Sequence, residues 1–204
     1  MASASIPAAL WDSRAVFFRP EEPFTWASGI KSPIYCDNRL LISRPDVRSA
    51  ISDAFVELIR PMAPQVIAGT ATAGIPWAAW IAERLQLPMV YVRSLAKSHG
   101  RQNLIEGELT PGQSVVLVED LISTGKSSLA AVDALREAGG KVLAVTGLFH
   151  YNFPQAHDVF TRHQVPCHTL CTLDDMLAWA VTDGKMASQT AEDIRTWRQN
   201  VSFP

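Results

Sequence analysis

Residues 114–118 read SVVLV, an apolar run of mostly β-branched residues after a single serine. Side chains of a strand alternate between its two faces, so this run is apolar on both. Such a strand belongs in the middle of a sheet covered above and below. Its surroundings repeat the theme. Strands are expected at 65–68, 87–92, 141–149 and within 163–171, and helices at 45–60, 75–86, 127–138 and 188–199. Pro45-Asp46 opens the first of these helices, and Gly139-Gly140 closes the third. Helices alternating with short apolar runs imply βαβ crossovers, hence an α/β fold with a mostly parallel central sheet flanked by helices. Ligands of such sheets bind at the carboxyl ends of the strands, so chemistry is expected in the loops after Ala68, Val92 and Val118. Residues 93–112 lack periodicity and are expected to form a long loop.

Composition narrows the classes. The 204 residues are 48% hydrophobic and 19% charged, which suits one domain and excludes disordered, collagen-like, coiled-coil and small disulfide-rich secreted chains. Eighteen basic residues against twenty acidic ones leave a net charge of −2. No global positive field holds nucleic acid or an anionic membrane, so an anionic ligand needs a local arrangement. The start lacks a basic, apolar secretory signal and no long apolar run occurs, so neither export nor a membrane span is expected. An odd set of cysteines, Cys36, Cys167 and Cys171, fits reduced thiols in the cytoplasm.

The stretch VVLVEDLISTGKSS (115–128) is the richest in chemistry. The strand delivers Glu119 and Asp120 to its end. Ser123, Thr124, Gly125, Lys126 and Ser127 then lead into a helix. Small and hydroxyl residues at a helix N-terminus leave backbone N–H groups free, which with the helix dipole suits a phosphate. Gly125 allows close backbone approach. Paired carboxylates upstream suit a ribose diol or help hold Mg²⁺. Taken alone, an acid and a Ser or Thr before a helix are ordinary caps; the buried strand and the acid pair favour a site. A P-loop would need glycine at position 120, where Asp120 stands.

An acidic pair, two apolar residues and Ser-Thr-Gly after a buried strand resemble the phosphoribosyl-diphosphate (PRPP) signature of type I phosphoribosyltransferases. FTWASGIKSPIYCDNRLLISRPDVR (24–48) and YVRSLAKSHGRQNLIEG (91–107) resemble the N-terminal signature and the mobile loop of orotate phosphoribosyltransferases. GTATAGIP (69–76) resembles their pyrophosphate loop. The similarity runs from about residue 14 to 199, with the four motifs in the family's order.

The resemblance implies a single phosphoribosyltransferase domain over 1–204, with an N-terminal hood to about residue 44 and an α/β core beyond. It implies transfer of the 5-phosphoribosyl group from PRPP to orotate with Mg²⁺, within pyrimidine synthesis. Asp120, Lys97 and His99 would be catalytic. Arg93, Lys97, His99, Glu119, Asp120, Leu121, Ile122, Ser123, Thr124, Gly125, Lys126 and Ser127 would bind PRPP. Thr70, Ala71, Thr72, Ala73 and Gly74 would form the pyrophosphate loop, and Ser123 and Tyr35 would meet orotate. Mg²⁺ would be held mainly through PRPP, with no site made by protein side chains alone. A homodimer with shared active sites is also implied; no nucleic acid or membrane partner is.

This chain departs from many members at Ala27, Ala73, Ser94 and Leu95, where lysines are common, and at Tyr151, near where some members carry an arginine for the base. Lys126 stands where glycine is common. Cys167-His168 with Cys171 invites a zinc reading, but lacks a second ligand pair and reads as a strand followed by a helix. Trp77, Trp80, Trp179 and Trp197 are expected in core or dimer contacts. The alternatives are a transferase for another nucleobase and a non-catalytic PRPP-binding regulator.

Overall fold

The computed structural model describes residues 5–26, 28–94 and 104–203. The chain begins with helix α1 (Ile6–Asp12), strands β1 (Val16–Phe18), β2 (Phe24–Thr25), β3 (Lys31–Ser32) and β4 (Ile34–Cys36), and a 3-10 turn at Asn38–Ser43. Helix α2 (Pro45–Ile59) follows, then β5 (Val66–Thr70), α3 (Gly74–Leu85), β6 (Met89–Val92) and β7 (Ile105–Glu106). The remainder is β8 (Ser114–Ile122), α4 (Lys126–Glu137), β9 (Lys141–His150), α5 (Pro154–Arg162), β10 (Cys167–Thr172), α6 (Leu173–Thr182) and α7 (Ser188–Asn200).

Six strands form the main sheet in the order β10-β9-β8-β5-β6-β7. Every pairing is parallel except β6 with β7. β8 lies between β5 and β9, as its two-sided apolar run requires. Its side chains divide by parity: Val116 and Val118 join one core layer with Trp77 of α3, while Val115 and Leu117 join the other with Leu129 and Val132 of α4. The α/β architecture expected from the sequence, a mostly parallel central sheet flanked by helices, is the one observed.

Three expectations change. β8 runs on through Ile122, because β9 continues to pair with it as far as Ile122↔His150; the acidic pair hid that extension by breaking the apolar pattern. β5 likewise includes Gly69 and Thr70, which pair with Tyr91 and Val92. The turn after it is therefore only residues 71–73. Within 93–112 a short antiparallel edge, β7, sits beside β6. Helices α1 and α5 are too short for their apolar spacing to stand out in the sequence.

The N-terminal segment forms two small antiparallel ladders, β1 with β4 and β2 with β3. Trp197 of α7 donates Nε1–H to the Lys31 carbonyl at 2.9 Å. Trp26 packs against the rings of Tyr151, Phe153 and Trp197. Trp77 is fully buried, and Trp80 and Trp179 pack at the edge of the same layer.

Candidate active site

Helices α3 and α4 leave the neighbouring strands β5 and β8 for opposite faces of the sheet. Their departure opens a crevice at the strands' carboxyl ends. A cleft of about 590 Å³ lies there. It is lined by Glu119, Asp120, Leu121, Ser123 and Ser127 on the β8–α4 side, by Thr70–Ala73 after β5, by the N-terminal segment, and by Tyr151.

The acid pair forms part of its floor. Glu119 is only 4% exposed. Its Oε1 accepts from Ser127 Oγ at 3.1 Å and from Ser128 Oγ at 3.2 Å. Burial, followed by the charge of Asp120, pushes its carboxyl up to about 7, and the hydroxyls of Ser127, Ser128 and Thr70 oppose that rise. Burial also raises Asp120. Asn38 Nδ2 donates to the Asp120 carbonyl at 2.6 Å, tying the N-terminal wall to the floor.

α4 starts at Lys126 with Gly125 as its cap, and no side chain caps it. Its first N–H groups are therefore open to an anion. Gly125 has φ +79°, and a Cβ there would lie 2.9 Å from the Phe160 ring, so glycine is required on both counts. Across the cleft, α3 also begins without a side-chain cap. Ala71 N–H is taken by the Val92 carbonyl at 2.8 Å. The amides left to face a ligand in this turn are thus those of Thr72 and Ala73. Thr70 Oγ1 is buried beside the Glu119 carboxyl, close enough to favour its charge but too poorly aligned for a regular hydrogen bond. Gly74 lets α3 sit against β8, because a Cβ there would lie 2.5 Å from the Val118 carbonyl oxygen.

The N-terminal wall carries Tyr35, 38% exposed, with its ring 5.5 Å from that of Phe24. Beside it stand Trp26, Cys36, Asp37, Asn38 and Arg39, none of which was singled out from the sequence. The usable signal was their place inside the 24–48 segment. Cys36 and Tyr151 are buried, and burial pushes both their thiol and phenol well above the ordinary range, so the cleft is neutral at those positions.

Ile122 is buried beneath the site. Leu121 lines the cleft, whereas Ile122, Thr124, Gly125, Lys126 and Gly74 do not; Lys126 is exposed at the helix start. Arg93 pairs with Glu106 at 3.5 Å across the β6–β7 edge and is not part of the cleft lining. Lys97, His99, Ala27 and Leu95 lie outside the described residues. Among the described residues no group of three or more His, Cys, Asp or Glu side chains is arranged to hold a metal. Cys167 and Cys171 are free thiols, and His168 is exposed.

Residues 43–160 match the phosphoribosyl transferase domain family, the class that this sheet and crevice define. An orotate phosphoribosyltransferase of Bacillus caldolyticus is 52% identical over 197 residues, covering 96% of this chain and 95% of the relative. The solved orotate phosphoribosyltransferase of Aeropyrum pernix superposes with a TM-score of 0.76 at 30% identity, covering 85% of this chain and 97% of that one. The UMP synthase of Leishmania donovani superposes with a TM-score of 0.81 at 29% identity; the match covers 97% of this chain and 42% of the synthase. The chain belongs to the orotate phosphoribosyltransferase family. No helix among the described residues is long and apolar enough to cross a membrane.

Proposed function

We infer that this protein transfers the 5-phosphoribosyl group from PRPP to orotate, yielding orotidine 5′-phosphate and pyrophosphate on the route to UMP. One observation carries this: an acid pair with Glu119 buried, an uncapped helix N-terminus and a short amide turn line or flank a single cleft in a member of this family. In the reaction the ribose C1–O bond to pyrophosphate breaks and a C1–N bond to orotate forms. The orotate N1 proton is lost, and the bonding pair departs with pyrophosphate.

Each part meets one need of that step. The N–H groups at the start of α4, with the hydroxyls of Ser123, Thr124 and Ser127 and the freedom of Gly125, hold the 5-phosphate; Lys126 adds charge from the rim. Leu121 and Ile122 support this turn from below. Asp120 and Glu119 accept from the ribose hydroxyls, and Asp120 as an anion favours positive charge developing on the ribose. The turn Thr70–Gly74 receives pyrophosphate through the Thr72 and Ala73 amides. Lys97 and His99, with Arg93, supply the cations for the leaving group. Ser123 and Tyr35 meet the base.

Mg²⁺ fits this chemistry. The Thr70 hydroxyl and the Asp120 carboxylate offer oxygen ligands at the cleft, but too few for a site without PRPP. When bound, the ion neutralises diphosphate charge. The domain is divided at about residue 44 into hood and core. It works in the cytoplasm, with free thiols in keeping, and as a homodimer whose subunits share sites. Mixing Lys97→Ala and Asp120→Asn subunits should regain part of the activity that each variant lacks; no recovery at any ratio would exclude shared sites.

The deciding experiment follows the loss of orotate absorbance with PRPP and Mg²⁺. Turnover of adenine or hypoxanthine but not orotate would assign another base. PRPP binding with no turnover of any base would make the protein a regulator.

A further inference from the structure

Orotate is a planar anion, and the cleft must distinguish it from neutral uracil by its carboxylate. Carboxylate recognition in a largely neutral or acidic site calls for a cation with directed donors. Of the described residues lining the cleft, Glu119, Asp120 and Asp37 are acidic, and Arg39 is the one Lys or Arg. Two positions where family members carry a cation supply none here. Residue 27 is alanine, and Tyr151 is a buried, neutral phenol.

Arg39 is held in a defined pose. Its Nε donates to Asp37 Oδ1 at 2.6 Å and its Nη2 to Asp37 Oδ2 at 2.8 Å. Asp37 Oδ1 also accepts from the Arg39 backbone N–H at 3.2 Å, fixing acid and guanidinium on one turn. This fork uses one edge of the guanidinium. The other edge, Nη1 with the second Nη2 hydrogen, makes no hydrogen bond among the described residues. The side chain is 64% exposed. Its charge is felt by Asp120 in the floor. A planar, pre-oriented pair of donors thus stands on the same wall as Tyr35, the proposed base contact.

We propose that Arg39, oriented by Asp37, is the specificity-determining residue that binds the orotate carboxylate through its free Nη1–Nη2 edge. This rests on orotate being the substrate, as proposed above. Charge-assisted, bidentate hydrogen bonds to a bound carboxylate support about a 10- to 100-fold preference.

Wild-type turnover of orotate is measured first; its absence would overturn the proposed activity rather than this residue's role. Given turnover, Arg39→Gln should raise KM for orotate about 10- to 100-fold while KM for PRPP and the thermal midpoint stay near wild type. Arg39→Lys should recover part of the loss, because it keeps the charge without the fork. Titration calorimetry with orotate and with uracil, at saturating PRPP analogue, should show the variant losing its preference for orotate while uracil binding is unchanged. A rise in KM for PRPP alone, equal rises for both substrates, equal loss of orotate and uracil binding, or no change would each overturn the assignment.

Discussion

Glu119 and Arg39 line the same cleft, yet the first is 4% exposed and the second has a side chain 64% exposed. The difference extends to the walls that carry them. The floor comes from one unbroken segment, β8 into α4, fixed by parallel pairing on both sides of the strand. The N-terminal wall comes from two- and three-residue strands and a 3-10 turn, held by side-chain contacts such as Asn38 to the Asp120 carbonyl and Trp197 to the Lys31 carbonyl. The floor offers groups that suit ribose and phosphate, and burial tunes their ionisation. The wall offers rings and one exposed cation, which suit a base. A rigid floor with a lightly held wall lets base recognition vary while the sugar chemistry stays the same.

Altering the floor's chemistry without its packing tests this contrast most severely. Asp120→Asn should lower kcat by about 10²- to 10³-fold, roughly 3–4 kcal/mol of transition-state stabilisation. Burial raises the Asp120 carboxyl, so removing its charge at neutral pH should leave the thermal midpoint equal or higher. Wild-type turnover in steady-state assays would break the ribose role. Next in size, Gly74→Ala pushes a methyl against the Val118 carbonyl oxygen, a contact that backbone cannot easily relieve. Denaturant unfolding should show a loss of about 2–3 kcal/mol; an unchanged midpoint would mean that α3 is not packed tightly on β8 at Gly74.

Glu119 gives a pH signature. Its folded carboxyl is held at about 7 against an ordinary 4.5. Its favourable contribution is therefore full below about 4.5 and is lost as pH rises to about 7. Glu119→Gln cannot ionise, so it should be the more stable protein by on the order of 2 kcal/mol at pH 8, with the gap closing near pH 5. A gap independent of pH would remove burial as the cause. The smallest effect is expected at the join between the two regions. Asn38→Ala leaves the Asp120 carbonyl without its donor and should cost about 1 kcal/mol, while raising KM for orotate more than KM for PRPP. Equal changes would mean that the wall serves both substrates.

Much of the floor was legible because its signals are contiguous. SVVLV marked a central strand, and Glu119 to Ser127 followed it within one stretch of chain. The limits of that strand were not legible: Glu119, Leu121 and Ile122 pair with β9, and a polar pair conceals strand pairing from a hydrophobic pattern. The turn at 71–73 was overestimated for a similar reason, since Gly69 and Thr70 look like loop residues but belong to β5. That Ala71 spends its N–H on Val92 depends on a neighbouring strand and has no local signature. Asp37, Asn38 and Arg39 were readable as part of a family-like segment but not as cleft residues, because the 3-10 turn they open carries no apolar periodicity.

By itself, then, the sequence determined the layered α/β architecture, the acid pair, the phosphate-type helix start and the family. Each of these follows from neighbours along the chain or from alternation on a strand. The tertiary structure alone decided that Glu119 is buried enough to titrate near 7, and that Asn38 meets Asp120 across 82 positions of chain. It also decided that Arg39 lines the cleft with one guanidinium edge held by Asp37. Burial and long-range hydrogen bonds depend on what the fold brings alongside a residue, which no local pattern encodes.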